Sequence, residues 1–157
     1  MEGRWQLLGR PTEQQFIRSA LLRSGGRCGV VLVGPAGVGK TTLARMVTDT
    51  LGRSVRWAAC TDSSRAIPLG AFAPWVTLTA SRDPIAALVS ARETLLAEPG
   101  TVIGIDDAHM LDQLSATLLH QIAMDRSARI IATVRTGESV PDAVTSLSLI
   151  HISEPTR

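Results

Sequence analysis

Apolar residues in this chain recur in two rhythms, and the rhythms alternate. Gly29-Val30-Val31-Leu32-Val33 is a continuous apolar, β-branched run, which predicts a strand buried on both faces. Leu43, Met46, Val47 and Leu51 follow at i, i+3, i+4 and i+8, one face of a helix. Val55–Ala59, Thr101–Ile105 and Arg129–Val134 repeat the strand pattern. Four further segments read as helical. Thr12 and Gln15 suggest a capping box ahead of Phe16, Ala20 and Leu21, with the helix running to about Arg23 and ended by Ser24-Gly25-Gly26. The apolar run from Ala71 to Val76 predicts a short helix packed on the sheet. Asp83-Pro84 pairs an N-cap with a first-position proline, and Ile85, Leu88, Val89, Leu95 and Leu96 carry that helix to Pro99-Gly100. Asp112 caps a helix whose inward residues are Leu114, Leu118, Leu119 and Ile122. Strands alternating with helices imply an α/β fold, a parallel sheet covered on both faces. Thr61 to Pro74 is a long connection, of the kind that often carries function. No internal repeat and no low-complexity segment interrupts the pattern.

Between the first strand and its helix lies Gly34-Pro35-Ala36-Gly37-Val38-Gly39-Lys40-Thr41-Thr42, which fits the Walker A pattern G-x-x-x-x-G-K-[ST] without a mismatch. Strand, glycine loop and helix are the context that confirms this motif. The glycines let successive N–H groups curl around a polyphosphate, and the helix N-terminus points its partial positive charge at the same anion. Lys40 is expected to reach the β- and γ-phosphates, and the Thr41 hydroxyl to ligate Mg²⁺. The alternative is a chance match in a glycine-rich turn. Lys40 is the chain's sole lysine, every other basic side chain apart from the histidines being arginine, so an incidental surface lysine is a poor explanation for it.

Val102-Ile103-Gly104-Ile105 runs into Asp106-Asp107, a Walker B element. Carboxylates at the C-terminal edge of a parallel strand lie where ligands bind in such sheets. Asp106 is expected to hold Mg²⁺, directly or through water, and Asp107 to polarise a water near the γ-phosphate. Read alone, the two acids would cap the following helix. Arg135, just past the fourth strand, is placed to read the γ-phosphate; the alternative is a solvated surface arginine. His109 is expected to pack or cap near the helix start and not to act as a base.

Composition narrows the partners. The chain has 157 residues, enough for one domain with a substantial core. It has no tyrosine and two phenylalanines, so the core must be built from Leu, Ile, Val and Ala. A formal net charge of +2 is too small to argue for nucleic acid on this segment. No run approaches the roughly 18 apolar residues of a membrane span, and the N-terminus leads into no signal-peptide core, so a cytoplasmic location is expected. Cys28 and Cys60 are isolated beside strands and read as buried thiols, against the alternatives of a disulfide or a metal site.

Gly9-Arg10-x-x-Glu13, Gly34 to Thr42, Ile105 to Asp112 and Thr133-Val134-Arg135 together resemble the STAND branch of the AAA-related P-loop ATPases. More narrowly they are similar to the ATPase domain of large LuxR-type (MalT-like) bacterial transcription regulators, and the segment from Trp57 to Trp75 is similar to the same group. The resemblance runs from Leu7 to about Ser146. It implies a three-layer αβα P-loop NTPase fold, ATP with Mg²⁺ as cofactors, and slow hydrolysis that acts as a conformational switch. It also implies self-association in the full-length protein and DNA binding only through a separate C-terminal helix-turn-helix. By this resemblance Arg10 lies near the nucleotide base and Arg135 is the sensor. The aspartate at 107, where AAA machines carry glutamate, argues for slow turnover. The competing reading is a catalytic motor or P-loop kinase, although no acceptor pocket for a kinase is legible.

The tail stands apart. Leu147 to Arg157 matches, residue for residue, the translation of a common transposase-type sequencing adapter. The chain is therefore expected to divide into an incomplete ATPase domain over residues 1–146 and a non-native tail over 147–157. On that division the fold is truncated before its fifth strand and lid, and the Gly29–Val33 strand is left as an apolar edge. The alternation from Leu147 to Ile152 is itself strand-like, so this tail is a candidate to fill the slot without being its native occupant.

Overall fold

The structure, a computed structural model, describes residues 10–23, 27–76 and 83–153. The expected alternation is present. In chain order the elements are α1 (Pro11–Leu22), β1 (Gly29–Gly34), α2 (Lys40–Asp49), β2 (Val55–Ala59), α3 (Asp62–Arg65), a 3-10 segment (Gly70–Trp75), α4 (Pro84–Leu95), β3 (Val102–Asp106), a 3-10 turn (Ala108–Met110), α5 (Gln113–Asp125), β4 (Arg129–Arg135), α6 (Asp142–Thr145) and β5 (Ser148–His151). The strands form one sheet in the order β2-β3-β4-β1-β5, with every pairing parallel. This is the three-layer αβα arrangement of a P-loop NTPase.

The two layers outside the sheet follow from the side-chain alternation of the strands. Val30, Leu32, Val102 and Ile131 face α1 and α2, where they pack with Ile17, Leu21, Leu43, Ala44 and Val47. Val31, Ile103, Ile105, Ile130 and Ala132 face the other way, against Phe72, Ala91, Leu95, Leu118, Leu119 and Ile122. Continuous apolar strands are needed because both faces are covered. Trp57 of β2 lies across Gly104 of β3, its register partner. A Cβ at position 104 would come within 2.4 Å of the indole, so only glycine fits. The Arg45 guanidinium covers the ring at 4.7 Å from its centroid.

Asp83 and Asp112 cap their helices as the sequence predicts, accepting from Ile85 N at 3.0 Å and from Ser115 N at 3.0 Å. Asp112 does more. It is buried, and its carboxylate also accepts from Leu69 N at 2.8 Å and Ala71 N at 3.4 Å. The long connection after β2 is thereby fastened to the start of α5. Its apolar end is the 3-10 segment and not an α-helix, with Pro74 inside it.

Two expectations need correction. No capping box forms at Thr12 and Gln15: α1 starts at Pro11, both residues lie inside it, and Arg10 at the N-cap makes no side-chain cap. Proline with its fixed φ and missing N–H suits the first helical position, which moves the start two residues earlier than a cap at Thr12 would place it. On α4 the buried residues are Ala91 and Leu95, with Leu88 packed beside them, while Ile85 and Val89 are 70% and 52% exposed. The inward face is i, i+3, i+7 from Leu88, centred on small Ala91, and Ile85 and Val89 fall off it. Ser24-Gly25-Gly26, expected to end α1, lies outside the described residues.

At the sheet edge the strand-like tail fills the slot for which its pattern made it a candidate. β1 is not left open: Val30, Val31, Leu32 and Val33 pair with Ser148, Leu149, Ile150 and His151 of β5. Ile152 N then donates to Val33 O at 2.7 Å, and the Ile152 side chain is buried. The physical reason is the alternation in the tail, which turns Ile150 and Ile152 to the α1 side and satisfies the free N–H and C=O groups of β1.

Candidate nucleotide site

The strands deliver their C-terminal ends to one edge of the sheet. There Gly34 ends β1, Asp106 ends β3 and Arg135 ends β4, with Gly34 and Arg135 in register. A cavity of about 430 Å³ opens at this edge, lined by Ala36, Gly37, Gly39, Lys40, Thr41, Thr42, Asp107 and Arg135. The phosphate loop bends through Gly37 at φ 77° and Gly39 at φ 95°, conformations that L residues avoid. Nothing would meet a Cβ at either position within 4 Å, so the loop faces open space. Gly39 is the N-cap of α2 and supplies no side-chain acceptor, which leaves the first-turn N–H groups of that helix free for an anion.

Lys40 is buried and donates from Nζ to Gly34 O at 2.8 Å and to Pro35 O at 2.9 Å. Burial pushes its ammonium below the usual lysine range; Asp107 pulls it up, Arg135 lowers it further and Asp106 raises it. Thr41 Oγ1 lies 2.7 Å from Asp106 Oδ1, so the two expected magnesium ligands are already in contact. Asp107 sits at φ 58°, ψ 55°, in the left-handed region, and lines the cavity. Arg135 is exposed and lines the cavity as well.

The fit of the implied groups can be judged from this chemistry. A polyphosphate asks for backbone donors at a helix start, a lysine and an arginine, and these converge on one cavity. Magnesium asks for hard oxygen ligands, which the Thr41 hydroxyl and the Asp106 carboxylate provide. Both groups fit the residues present.

Other residues expected near the site stand slightly apart. Pro35 and Val38 belong to the loop without lining the cavity, and Gly34 turns towards the tail, where a Cβ would come within 2.3 Å of Ile152 O. Arg10 is buried and donates to Ser153 O at 2.7 Å and, more weakly, to Val38 O at 3.5 Å. It thus ties the loop to the end of the tail and does not line the cavity. His109 Nδ1 accepts from Arg135 N at 3.5 Å, at the outer limit of a hydrogen bond, and also lies outside the cavity lining. Cys28 and Cys60 are buried free thiols, and Cys60 is pushed up to about 12 by burial and then by Asp112, Asp106 and Asp107. Neither is poised as a nucleophile.

Thr133, named in the sequence only as part of Thr133-Val134-Arg135 and given no role of its own, belongs to this group. Thr133, wholly buried in β4, donates to Asp106 Oδ1 at 2.7 Å and accepts from Asp107 N at 2.9 Å. The only signal was a hydroxyl in the middle of an otherwise apolar run.

Among the described residues no helix is long and apolar enough to cross a membrane. A family model described as an AAA ATPase domain matches residues 6–100. That span covers more than half of the chain and includes the whole phosphate loop. Nucleotide binding and ATPase activity are what such a domain implies. With the phosphate loop, its helix and the parallel sheet in place, the chain belongs to the AAA ATPase domain family.

Proposed function

We propose that this domain binds Mg-ATP in the cavity at the ends of β1, β3 and β4 and hydrolyses it slowly. The observation that carries the reading is the 2.7 Å contact between Thr41 Oγ1 and Asp106 Oδ1, which joins the phosphate loop to the acid of β3. When bound, magnesium would supply charge neutralisation for the phosphate oxygens. The chain's own groups do the rest. Lys40 and the free N–H groups of α2 hold the phosphates, and Thr41 and Asp106 hold the metal. Arg135 steadies the terminal phosphate, and Asp107 orients a water and draws its proton. Arg10 orders the loop from behind, through Val38.

The two acids have separable roles. Asp106→Asn should weaken the Mg²⁺ dependence of nucleotide binding by tenfold or more. Asp107→Asn should leave Mg-ATP bound and slow a single turnover by about 10²-fold or more, the scale of lost general-base catalysis. Binding of a fluorescent ATP analogue with and without Mg²⁺, beside single-turnover hydrolysis, checks both. Equal loss of binding in the two variants with no change in the chemical step would refute the assignment.

We further propose that the hydrolysis serves as a conformational switch in a LuxR-type, MalT-like transcription regulator, with self-association and DNA binding residing in the full-length protein. The support is the resemblance carried by Gly9-Arg10, the Asp106-Asp107 pair and Thr133-Val134-Arg135. The adapter match makes residues 147–157 a non-native tail in this reading. Sequencing the genomic locus across Ser146 tests both statements. The frame is expected to depart from Leu147–Arg157 and to encode a C-terminal helix-turn-helix. A second catalytic domain there would favour the motor or kinase reading instead.

A further inference from the structure

Thr133 occupies an unusual position. Its Oγ1 has one proton and two lone pairs. The proton goes to Asp106 Oδ1 at 2.7 Å, and a lone pair takes the N–H of Asp107 at 2.9 Å. One hydroxyl thus touches both acids of the site, the side chain of the first and the backbone of the second. Thr41 Oγ1 meets the same Asp106 Oδ1 at 2.7 Å. Two hydroxyls therefore fix one carboxylate oxygen, and the carboxylate plane with it.

The contact to Asp107 has its own logic. β3 ends at Asp106, and Asp107 turns into the left-handed region at φ 58° and ψ 55°. That turn carries its N–H out of the strand ladder and costs a non-glycine residue conformational free energy. An amide leaving a ladder beside a buried strand needs an acceptor. Thr133 supplies it from the neighbouring strand. Thr133 itself has no exposure and does not line the cavity, so it touches neither nucleotide nor metal.

We infer that Thr133 is a positioning residue for this site. Its hydroxyl sets the orientation of the Asp106 carboxylate and holds Asp107 in the turned conformation that aims its side chain into the cavity. The metal part of this inference rests on the Mg-ATP reading above; the backbone part does not.

The test compares Thr133→Val, which keeps the shape and removes the hydroxyl, with Thr133→Ser, which keeps the hydroxyl. Two readouts are taken on the full chain. The first is amide hydrogen exchange at Asp107 without nucleotide. The wild-type amide is expected to be protected although it lies outside the ladder, and Thr133→Val to raise its exchange at least tenfold. Thr133→Ser should stay within a few-fold of wild type. An unprotected wild-type amide overturns the inference, and this measurement needs no variant to fold. The second readout is the gain in affinity for a fluorescent ATP analogue when Mg²⁺ replaces EDTA. Thr133→Val should lose at least fivefold of that gain while its affinity in EDTA is unchanged, and Thr133→Ser should retain it. A full gain in Thr133→Val, or equal losses in both variants, overturns the inference, since a buried methyl alone would then explain the residue. If the wild type binds no analogue in either condition, the Mg-ATP reading fails, and the exchange at Asp107 still decides the role of Thr133.

Discussion

Changing Lys40 to alanine should cost the protein its tight binding of ATP. Lys40 is the only side-chain cation in the phosphate loop, and it lines the cavity beside Arg135. Charge-assisted contacts contribute about 1.5–3 kcal/mol each. Part of that gain is offset, because the ammonium must exchange its contacts with Gly34 O and Pro35 O for phosphate oxygens. A net loss of about 2 kcal/mol remains, which weakens binding roughly 30-fold. Titration with a fluorescent ATP analogue, beside a thermal melt to show that the variant folds, measures it. An affinity equal to that of wild type would place the nucleotide elsewhere.

A chain ending at Ser146 should melt well below the chain that carries the tail. The shortened chain loses the pairing of β5 with β1 and the burial of Leu147 and Ile152, each 2% exposed. Burying one such side chain contributes about 1.5–3 kcal/mol. At about 2–4 °C per kcal/mol for a domain of this size, the fall in Tm is on the order of 10–15 °C. The freed edge of β1 is apolar from Val30 to Val33, and an edge of that kind invites aggregation. Thermal unfolding with light scattering, with and without Mg-ATP, is the measurement. Equal Tm values in the two chains would show that β1 to β4 form a self-sufficient core and that β5 is an ornament.

What the sequence made legible was local. The loop from Gly34 to Thr42 is a contiguous motif, and its chemistry is written in its spacing. The caps at Asp83 and Asp112 act over two or three residues, so the chain order reveals them. What it concealed acts across the fold. Asp112 reaches back to Leu69 and Ala71, and nothing near Asp112 in sequence announces that reach. Thr133 joins β4 to the end of β3, a contact created only when the two strands pair. Ile85 and Val89 misled because their spacing fits a helix face as well as Leu88, Ala91 and Leu95 do. Which face turns inward is settled by the neighbours α5 and the 3-10 segment. The tail was strand-like in sequence, yet its partner strand could be recognised only from the empty place beside β1.

The solitary lysine has a consequence for chemical labelling. Arginine carries nearly all of the positive charge in this chain, and the primary amines number two: the N-terminus and Lys40. Reagents that acylate or cross-link amines therefore meet a surface free of lysine, and their one side-chain target is folded against two carbonyls in the lining of the candidate nucleotide cavity. Acylation at that residue becomes a direct gauge of whether the cavity is filled, with no background from the rest of the molecule's side chains. The same arrangement leaves the cell's lysine-modifying enzymes no exposed lysine on this domain to act on.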